Sequence, residues 1–436
     1  MRRTIPLFGL LLILNTGIIL AAQVENLYPT IIGDRAFGFA GAFTALADDA
    51  TAGWYNPAGL GYLEKTYINA TGNIYGYHET TVKDAIIISP ASGGGISKDF
   101  DTAETRATPS TVSLARKLGP GAVGFGIYVP RQMNTASDLD AGLDYYDTIF
   151  STPLRSRILT SNDYSSSSLY LGPSYGMKIA GPLSLGASAF FTYMEDVSNT
   201  MVQTAFFDQD GNNIMSGIGW NRTETEFMGL RFALGGKAQW SNFHFGANLH
   251  LPTIRISEKT KKTDVVMTGS PSSATSQTES FEEDTDNVGR GWNIATGLGW
   301  SSAKKWAIEI DGTYYIPISD SDISDKNVLN LKLGGELSIT ENMLIRAGLF
   351  TDRSTSDDPI QDGPDVDIYG GTAQMTYQSE IPGTHVLRSM SVGIGYAKGD
   401  GKGSGLLITD GLAFTLGGRD IEVECITVMI GGALRF

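Results

Sequence analysis

The sequence predicts an all-β transmembrane barrel of about fourteen antiparallel strands, closed around its own N-terminal segment. Three observations carry that prediction. Past Leu63 apolar and polar residues alternate with period two. The gaps between the alternating runs are mostly short and long in turn. The chain also ends on an alternating run whose last residue is aromatic.

The alternation is plain in several places. Phe243, Phe245, Ala247, Leu249 and Leu251 interleave with His244, Gly246, Asn248 and His250. Trp306, Ile308 and Ile310 interleave with Ala307, Glu309 and Asp311, and Leu329, Leu331 and Leu333 with Asn330 and Lys332. Successive side chains of a strand point to opposite faces, so each run has one apolar and one polar face. A soluble sandwich would read the same way, so the connections have to decide. Strands are predicted near 66–78, 108–118, 121–130, 166–179, 183–196, 225–240, 243–258, 289–302, 305–317, 328–340, 343–353, 386–398, 404–417 and 421–436. Short turns fall at Leu118-Gly119-Pro120, Ala180-Gly181-Pro182, Ser241-Asn242, Ala303-Lys304 and Glu341-Asn342. Long loops are expected at 79–107, 131–165, 197–224, 259–288 and 354–385. Short turns at one end and long loops at the other are the pattern of an outer-membrane barrel. Closure removes every sheet edge, which lipid requires because it cannot satisfy free backbone groups.

The final strand adds Ile426, Val428, Ile430, Gly432, Leu434 and Phe436 on one face. A terminal aromatic residue on such a strand resembles the signal that bacterial barrels present to the barrel assembly machinery. At the other end, Arg2 and Arg3 precede an apolar run from Ile5 to Leu20 and the small residues Ala21-Ala22. This reads as a secretory signal peptide over residues 1–22, too short to span a bilayer comfortably. The expected location is the bacterial outer membrane.

Composition agrees and excludes several classes. Fifty-three glycines, 18 tyrosines and 19 phenylalanines suit tight turns and aromatic girdles. The single cysteine, Cys425, rules out internal disulfides and a Cys-based zinc site. Four histidines without an HExxH pairing speak against a His-built metal centre. Asp208-Gln209-Asp210-Gly211-Asn212 resembles part of an EF-type loop but lacks the downstream bidentate Glu. The sequence shows no nucleophile elbow and no phosphate-binding glycine loop. No catalytic residue, metal or cofactor is expected. A net charge of −15 argues against nucleic acid, which needs a basic footprint. The acidic stretches Glu279–Asp286 and Asp352–Asp367 read as solvated loops.

Between signal and strands lies DRAFGFAGAFTALADDATAGWYNPAGLGYL, Asp34 to Leu63. Its small residues cannot build a core alone, yet it is too apolar for a solvated tail. It therefore needs an enclosure, and residues 23–63 are read as a plug inside a barrel formed by 64–436. The Gly/Ala-rich run from Gly41 to Ala50, carrying Asp48-Asp49, and the following Asn56-Pro57-Ala58-Gly59-Leu60 resemble the FadL/TodX family of outer-membrane hydrocarbon and long-chain fatty acid transporters. The motif match covers about thirty positions; the rest resembles the family only in strand rhythm and terminal Phe.

That resemblance implies a fourteen-stranded monomeric barrel with an N-terminal hatch. It also implies capture of hydrophobic small molecules at an extracellular groove and sideways exit through a strand defect into membrane lipid. On this chain the hatch motif is Asn56, Pro57 and Ala58. Pro57 fixes a turn and Asn56 bonds nearby backbone, so a plain packed turn fits as well as a gating element. The third loop, 197–224, holds Met201, Phe206, Phe207, Met215, Ile218 and Trp220. Exposed apolar clusters mark binding sites, and a lid over the barrel mouth is equally compatible. Arg131, Arg155 and Arg157 flank the second loop and are candidate partners for a ligand head group. Arg231 and Arg346, on strands, could serve too but suit lumen ion pairs better. Gly124, Gly126 and Pro173 are candidate strand-defect positions, since proline deletes a ladder hydrogen bond. The functional expectation is passive transport of hydrophobic compounds; a scaffold for secretion or surface assembly, a general porin and a soluble β-protein remain as alternatives, in that order.

Overall fold

The computed structural model describes residues 30–89, 93–147, 152–270, 273–283, 291–302, 305–316, 326–359, 364–409 and 413–436. The predicted signal peptide and the start of the 23–63 segment lie outside the described residues. Strands β1 (Tyr67–Ile88), β2 (Ile96–Leu118), β3 (Gly121–Asp147), β4 (Thr152–Ala180), β5 (Leu183–Phe207) and β6 (Asn213–Trp240) follow one another in chain order. β7 (Phe243–His250) and β8 (Ile254–Ser270) are two halves of one strand, because both pair with β6 along its length. β9 (Ser273–Glu283) and β10 (Trp292–Ser302) stand likewise opposite β8 and β7. β11 (Trp306–Ile316), β12 (Val328–Ser338), β13 (Met343–Asp352), β14 (Asp365–Glu380), β15 (Leu387–Thr409) and β16 (Ala413–Arg435) continue the ring. β16 pairs with β1, from Tyr67↔Arg435 to Val82↔Ile421, and closes it. The result is a closed antiparallel barrel of fourteen strands.

The two faces of this sheet are reversed relative to a water-soluble protein. On β11, Ile308 and Ile310 are exposed on the outside, while Glu309, Asp311 and Thr313 are buried within. On β12, Leu329 and Leu331 face out and Asn330 faces in. An outward apolar band with a polar bore is the arrangement lipid demands. At the short-turn end, Phe243 stacks on Trp300 at 5.6 Å and Trp300 meets Trp306 edge-on at 4.8 Å. These are the rings of an interfacial girdle.

The strand number agrees with the sequence, but by compensating differences. β14 falls inside the predicted loop 354–385. The predicted strands 386–398, 404–417 and 421–436 are only two, β15 (to Thr409) and β16 (from Ala413). Much of the expected loops 79–107, 131–165, 197–224 and 259–288 is also strand. Above the lipid both faces of a strand meet polar surroundings, so the hydrophobic alternation that marks a strand fades there. The tight turns at 119–120, 181–182 and 241–242 stand where expected, with Gly119 and Gly181 at positive φ. Ala303-Lys304 lies outside the described residues.

β1 does not stay with its neighbour. Beyond Asp84 it leaves β16 and pairs in parallel with β15, Ile86↔Leu406 to Ile88↔Ile408. This carries the β1–β2 hairpin across the long-strand end of the bore. There Val82, Ile86, Ile88 and Phe100 pack with Leu139, Ile158, Val366, Leu406 and Ile421 from the walls. An apolar cluster thus lies across that end of the bore.

Candidate functional site

Residues 30–63 lie against the inner faces of the strands. The segment contains two short helices, α1 (Asp34–Gly38) and α2 (Ala52–Tyr55), and a 3-10 turn over Pro57–Tyr62. Its backbone comes so close to β5, β6, β12 and β13 that Gly186, Gly235, Gly334 and Gly348 have no room for a Cβ. Phe39, Phe43 and Leu60 are fully buried, each contributing about 2 kcal/mol relative to exposure.

Polar groups fix the register of this packing. Asn56 is completely buried. Its Nδ2 donates to the Thr44 carbonyl at 2.9 Å and the Gly236 carbonyl of β6 at 3.0 Å. Its Oδ1 accepts from the Ala58 amide at 3.1 Å. Pro57 opens the 3-10 turn, where a missing N–H costs nothing. The Ala58 carbonyl accepts from the Ser184 hydroxyl at 2.7 Å. The Asn-Pro-Ala triplet therefore joins two parts of the plug to two wall strands.

Two neighbouring carboxylates on β11 hold the other side. Asp311 accepts from the Phe43 and Thr44 amides, both at 2.9 Å. Glu309 accepts from the Ala45 amide and from the Leu46 amide, the latter at 3.0 Å. Lys237 donates to the Ala47 carbonyl at 2.7 Å. Arg35 pairs with Asp48 at 2.6 Å and with Glu336 of β12 at 3.2 Å, and Arg346 pairs with Glu336 at 2.6 Å. Burial works against the Arg35 guanidinium, but the charges of Asp48 and Glu336 outweigh it and raise its pKa. Burial pushes Asp49 up to about 6, opposed by its hydrogen bonds from Thr51.

Between the plug and this apolar cluster lies a cavity of about 170 Å³. Ile32, Phe37 and Trp54 of the plug floor it, and His78, Arg106, Asn248, His250, Asn293 and Lys332 stand among its walls. Trp54 belongs to an aromatic cluster beside the cavity. The indole lies 5.2 Å from Tyr128, 5.3 Å from Tyr170, 5.9 Å from Phe190 and 6.2 Å from His250.

Among the described residues the wall parts between β2 and β3. β2 and β3 pair only from Leu118↔Gly121 to Thr111↔Tyr128. At that point both strands slip register against their outer neighbours, β2 near Ser110 and β3 at Val129-Pro130. Beyond it β2 stays with β1 and β3 with β4. Two side chains of β2 bridge the gap: Glu104 accepts from the Asn134 amide at 2.9 Å, and Arg106 donates to the Gln132 carbonyl. Arg106 also donates to His78 at 2.8 Å, whose other nitrogen contacts Cys425 at 2.9 Å.

The residues singled out from sequence are distributed unevenly over this site. Asn56, Pro57 and Ala58 come together in the plug. The six apolar residues of 197–224 do not form a loop cluster, because 183–207 and 213–240 are strands joined by a tight turn. Strand alternation puts Met201, Phe207, Ile218 and Trp220 on the outer face and Phe206 and Met215 on the inner one. Asp208 spends its carboxylate on that turn, accepting from the Asp210 and Asn212 amides. Arg155 and Arg157 are exposed and paired with Asp144 at 2.6 Å and Asp140 at 2.7 Å, away from the bore. Arg131 follows the Val129-Pro130 slip and lies within electrostatic reach of Arg106. Gly124 and Gly126 sit in unbroken ladders, so the defect is a few residues further on. At Gly172-Pro173 the β4–β5 ladder is interrupted but keeps its register. Sequence reading missed Trp54, Glu104, Arg106 and the Glu309/Asp311 pair. The last two were visible as acidic positions on the polar face of a predicted strand.

The structure can be set beside known proteins. No family model and no curated protein matches the sequence. Solved structures do match in shape. A FadL homologue of Pseudomonas aeruginosa aligns over 94% of this chain and 99% of its own, with a TM-score of 0.62 and 13% identity. The Pseudomonas putida toluene transporter TodX aligns over 94% and 99%, with a TM-score of 0.55 and 12% identity. The Ralstonia pickettii toluene transporter TbuX aligns over 95% and 99%, with a TM-score of 0.52 and 13% identity. The chain has the FadL/TodX fold. At these identities the likeness is one of architecture, shared across nearly the whole of each FadL/TodX-type barrel.

Proposed function

We propose that the protein carries hydrophobic compounds, long-chain fatty acids or hydrocarbons, across the bacterial outer membrane by passive diffusion. Residues 23–63 act as the hatch, residues 1–22 as the export signal, and the barrel works as a monomer. The observation that carries this reading is the parting of β2 from β3 beside a plugged bore. A solute passing through the mouth enters the cavity, meets the plug below it, and finds at that height a wall sealed by side chains rather than by a ladder. Leaving there places it in lipid without crossing water. The similar structures, a FadL homologue and two toluene transporters, support the same substrate class. Phe436, exposed at the end of β16, suits recognition by the barrel assembly machinery. The test compares uptake of labelled fatty acids and aromatic hydrocarbons in cells with and without the protein. Equal uptake of both classes counts against transport.

A further inference from the structure

Across the long-strand end of the bore, two hairpins meet along a short seam. Ile86, Ile87 and Ile88 of β1 pair with Leu406, Leu407 and Ile408 of β15, and this pairing is parallel. On its other side each partner keeps an antiparallel neighbour. Residues 86–88 stay with 96–98 of β2, and residues 406–408 stay with 414–416 of β16. The order across this small sheet is β2–β1–β15–β16. In the wall below, β16 stands between β1 and β15.

Both hairpins leave the wall at one level. β1 parts from β16 after Val82↔Ile421 and slips register against β2 between Val82 and Ile86. Between those residues Asp84 has a φ of 51°, a left-handed conformation uncommon outside glycine. β15 outruns β14 after Lys402↔Asp365, and Gly401 stands opposite Ile421. Little beyond the three pairs holds the seam. The Ser89 amide donates to the Ile408 carbonyl at 2.8 Å, and Arg419 Nε donates to the Asp84 carbonyl at 2.8 Å. Parallel pairing is also the less stable kind per residue.

Under the seam the packing is apolar. Ile86 and Ile88 from one hairpin and Leu406 and Ile408 from the other are buried with Leu139 and Ile158 of the facing wall. Cys425 packs against this cluster and also lines the cavity.

We propose that the β1–β15 seam is a gate over the cavity, parted by apolar solutes. The inference rests on the transport reading only for what passes afterwards. Parting leaves both hairpins whole, because each keeps its antiparallel ladder. In water it exposes the four apolar side chains beneath, so the seam stays shut against water and ions. An apolar solute covers the same side chains and removes that cost.

The chain's single cysteine reports on the seam from the cavity side. The full chain in phospholipid nanodiscs is treated with iodoacetamide, and the Cys425 adduct is followed by peptide mass. Modification of a transiently opened site tracks the open population. Toluene below saturation should speed labelling by about fivefold, the shift produced by a ligand that prefers the open state. Ile87 and Leu407 stand opposite each other and are half-buried. Joining them through Ile87→Cys with Leu407→Cys should slow Cys425 labelling by about tenfold or more when oxidised. It should also abolish the toluene effect, and reduction should restore both. Equal labelling in the oxidised and reduced forms, or a wild type indifferent to toluene, overturns the gate. Should the cross-link fail to form, hydrogen exchange on the wild type decides. Toluene should speed the amides of 86–89 and 406–408 and leave those of β4 unchanged; no change at the seam overturns the proposal. Hydrocarbon uptake is not read in these assays, so a failed gate and a failed transporter are told apart.

Discussion

Replacing Asn56 by Ala tests how the plug is held. The substitution removes three hydrogen bonds, to the Thr44 carbonyl, the Gly236 carbonyl and the Ala58 amide. At about 1 kcal/mol net for each, the loss is about 3 kcal/mol, and stranded buried partners would add to it. None of the three bonds belongs to the strand ladder, so the penalty falls on the docked plug and not on the barrel. A loss of about 3 kcal/mol corresponds to a rise of roughly a hundredfold in the population of the undocked segment. Hydrogen exchange of the protein in detergent reads this directly. Amides of 43–46 and 56–62 should exchange about a hundred times faster in Asn56→Ala, while those of β11 to β16 keep their protection. Unchanged exchange in the plug, or equal acceleration in plug and strands, would refute the view that this side chain secures one against the other.

Three further outcomes follow from the same contacts. Glu309→Gln combined with Asp311→Asn removes the anionic acceptors of four plug amides and should raise single-channel conductance in planar bilayers; unchanged conductance would count against the carboxylates as a latch. Asp49 has a docked-state pKa of about 6, above its usual value near 4, so the docked form binds the proton more tightly. Its contribution to docking is therefore full below about pH 4, is lost as pH rises through about 6, and changes little beyond; the protection of plug amides relative to their intrinsic exchange rates should be higher at pH 4 than at pH 7, and Asp49→Asn should flatten that difference. Gly235→Ala would drive a Cβ into Pro57 and the Ala58 amide, and should destabilise docking by about 1–3 kcal/mol, seen as faster exchange at 56–62.

The lipid-embedded part of this molecule was legible from sequence, because there one face must be apolar and the other polar. Ile308/Glu309/Ile310/Asp311 states both the strand and its orientation. The upper strands were not legible. Around Thr160–Ser165, for example, neither face meets lipid, and the run reads as loop although it pairs fully with β3 and β5. The plug was readable from its small residues and its Asn-Pro-Ala turn. Its partners were not, since Lys237, Glu336 and Gln374 reach it from strands far apart in the chain. The same limit hid the partner of Arg346: the sequence offers an arginine on a strand, and only the fold brings Glu336 to it.

The length of the walls has a consequence of its own. β4 has 29 residues, whereas about ten are enough to cross a bilayer. At about 3.3 Å per residue and a tilt of about 40°, some 40–50 Å of it stands clear of the lipid. The molecule is therefore a chimney more than a hole. Its long-strand rim stands well above the oily layer that the outer apolar band meets, so rim and band face two different surroundings.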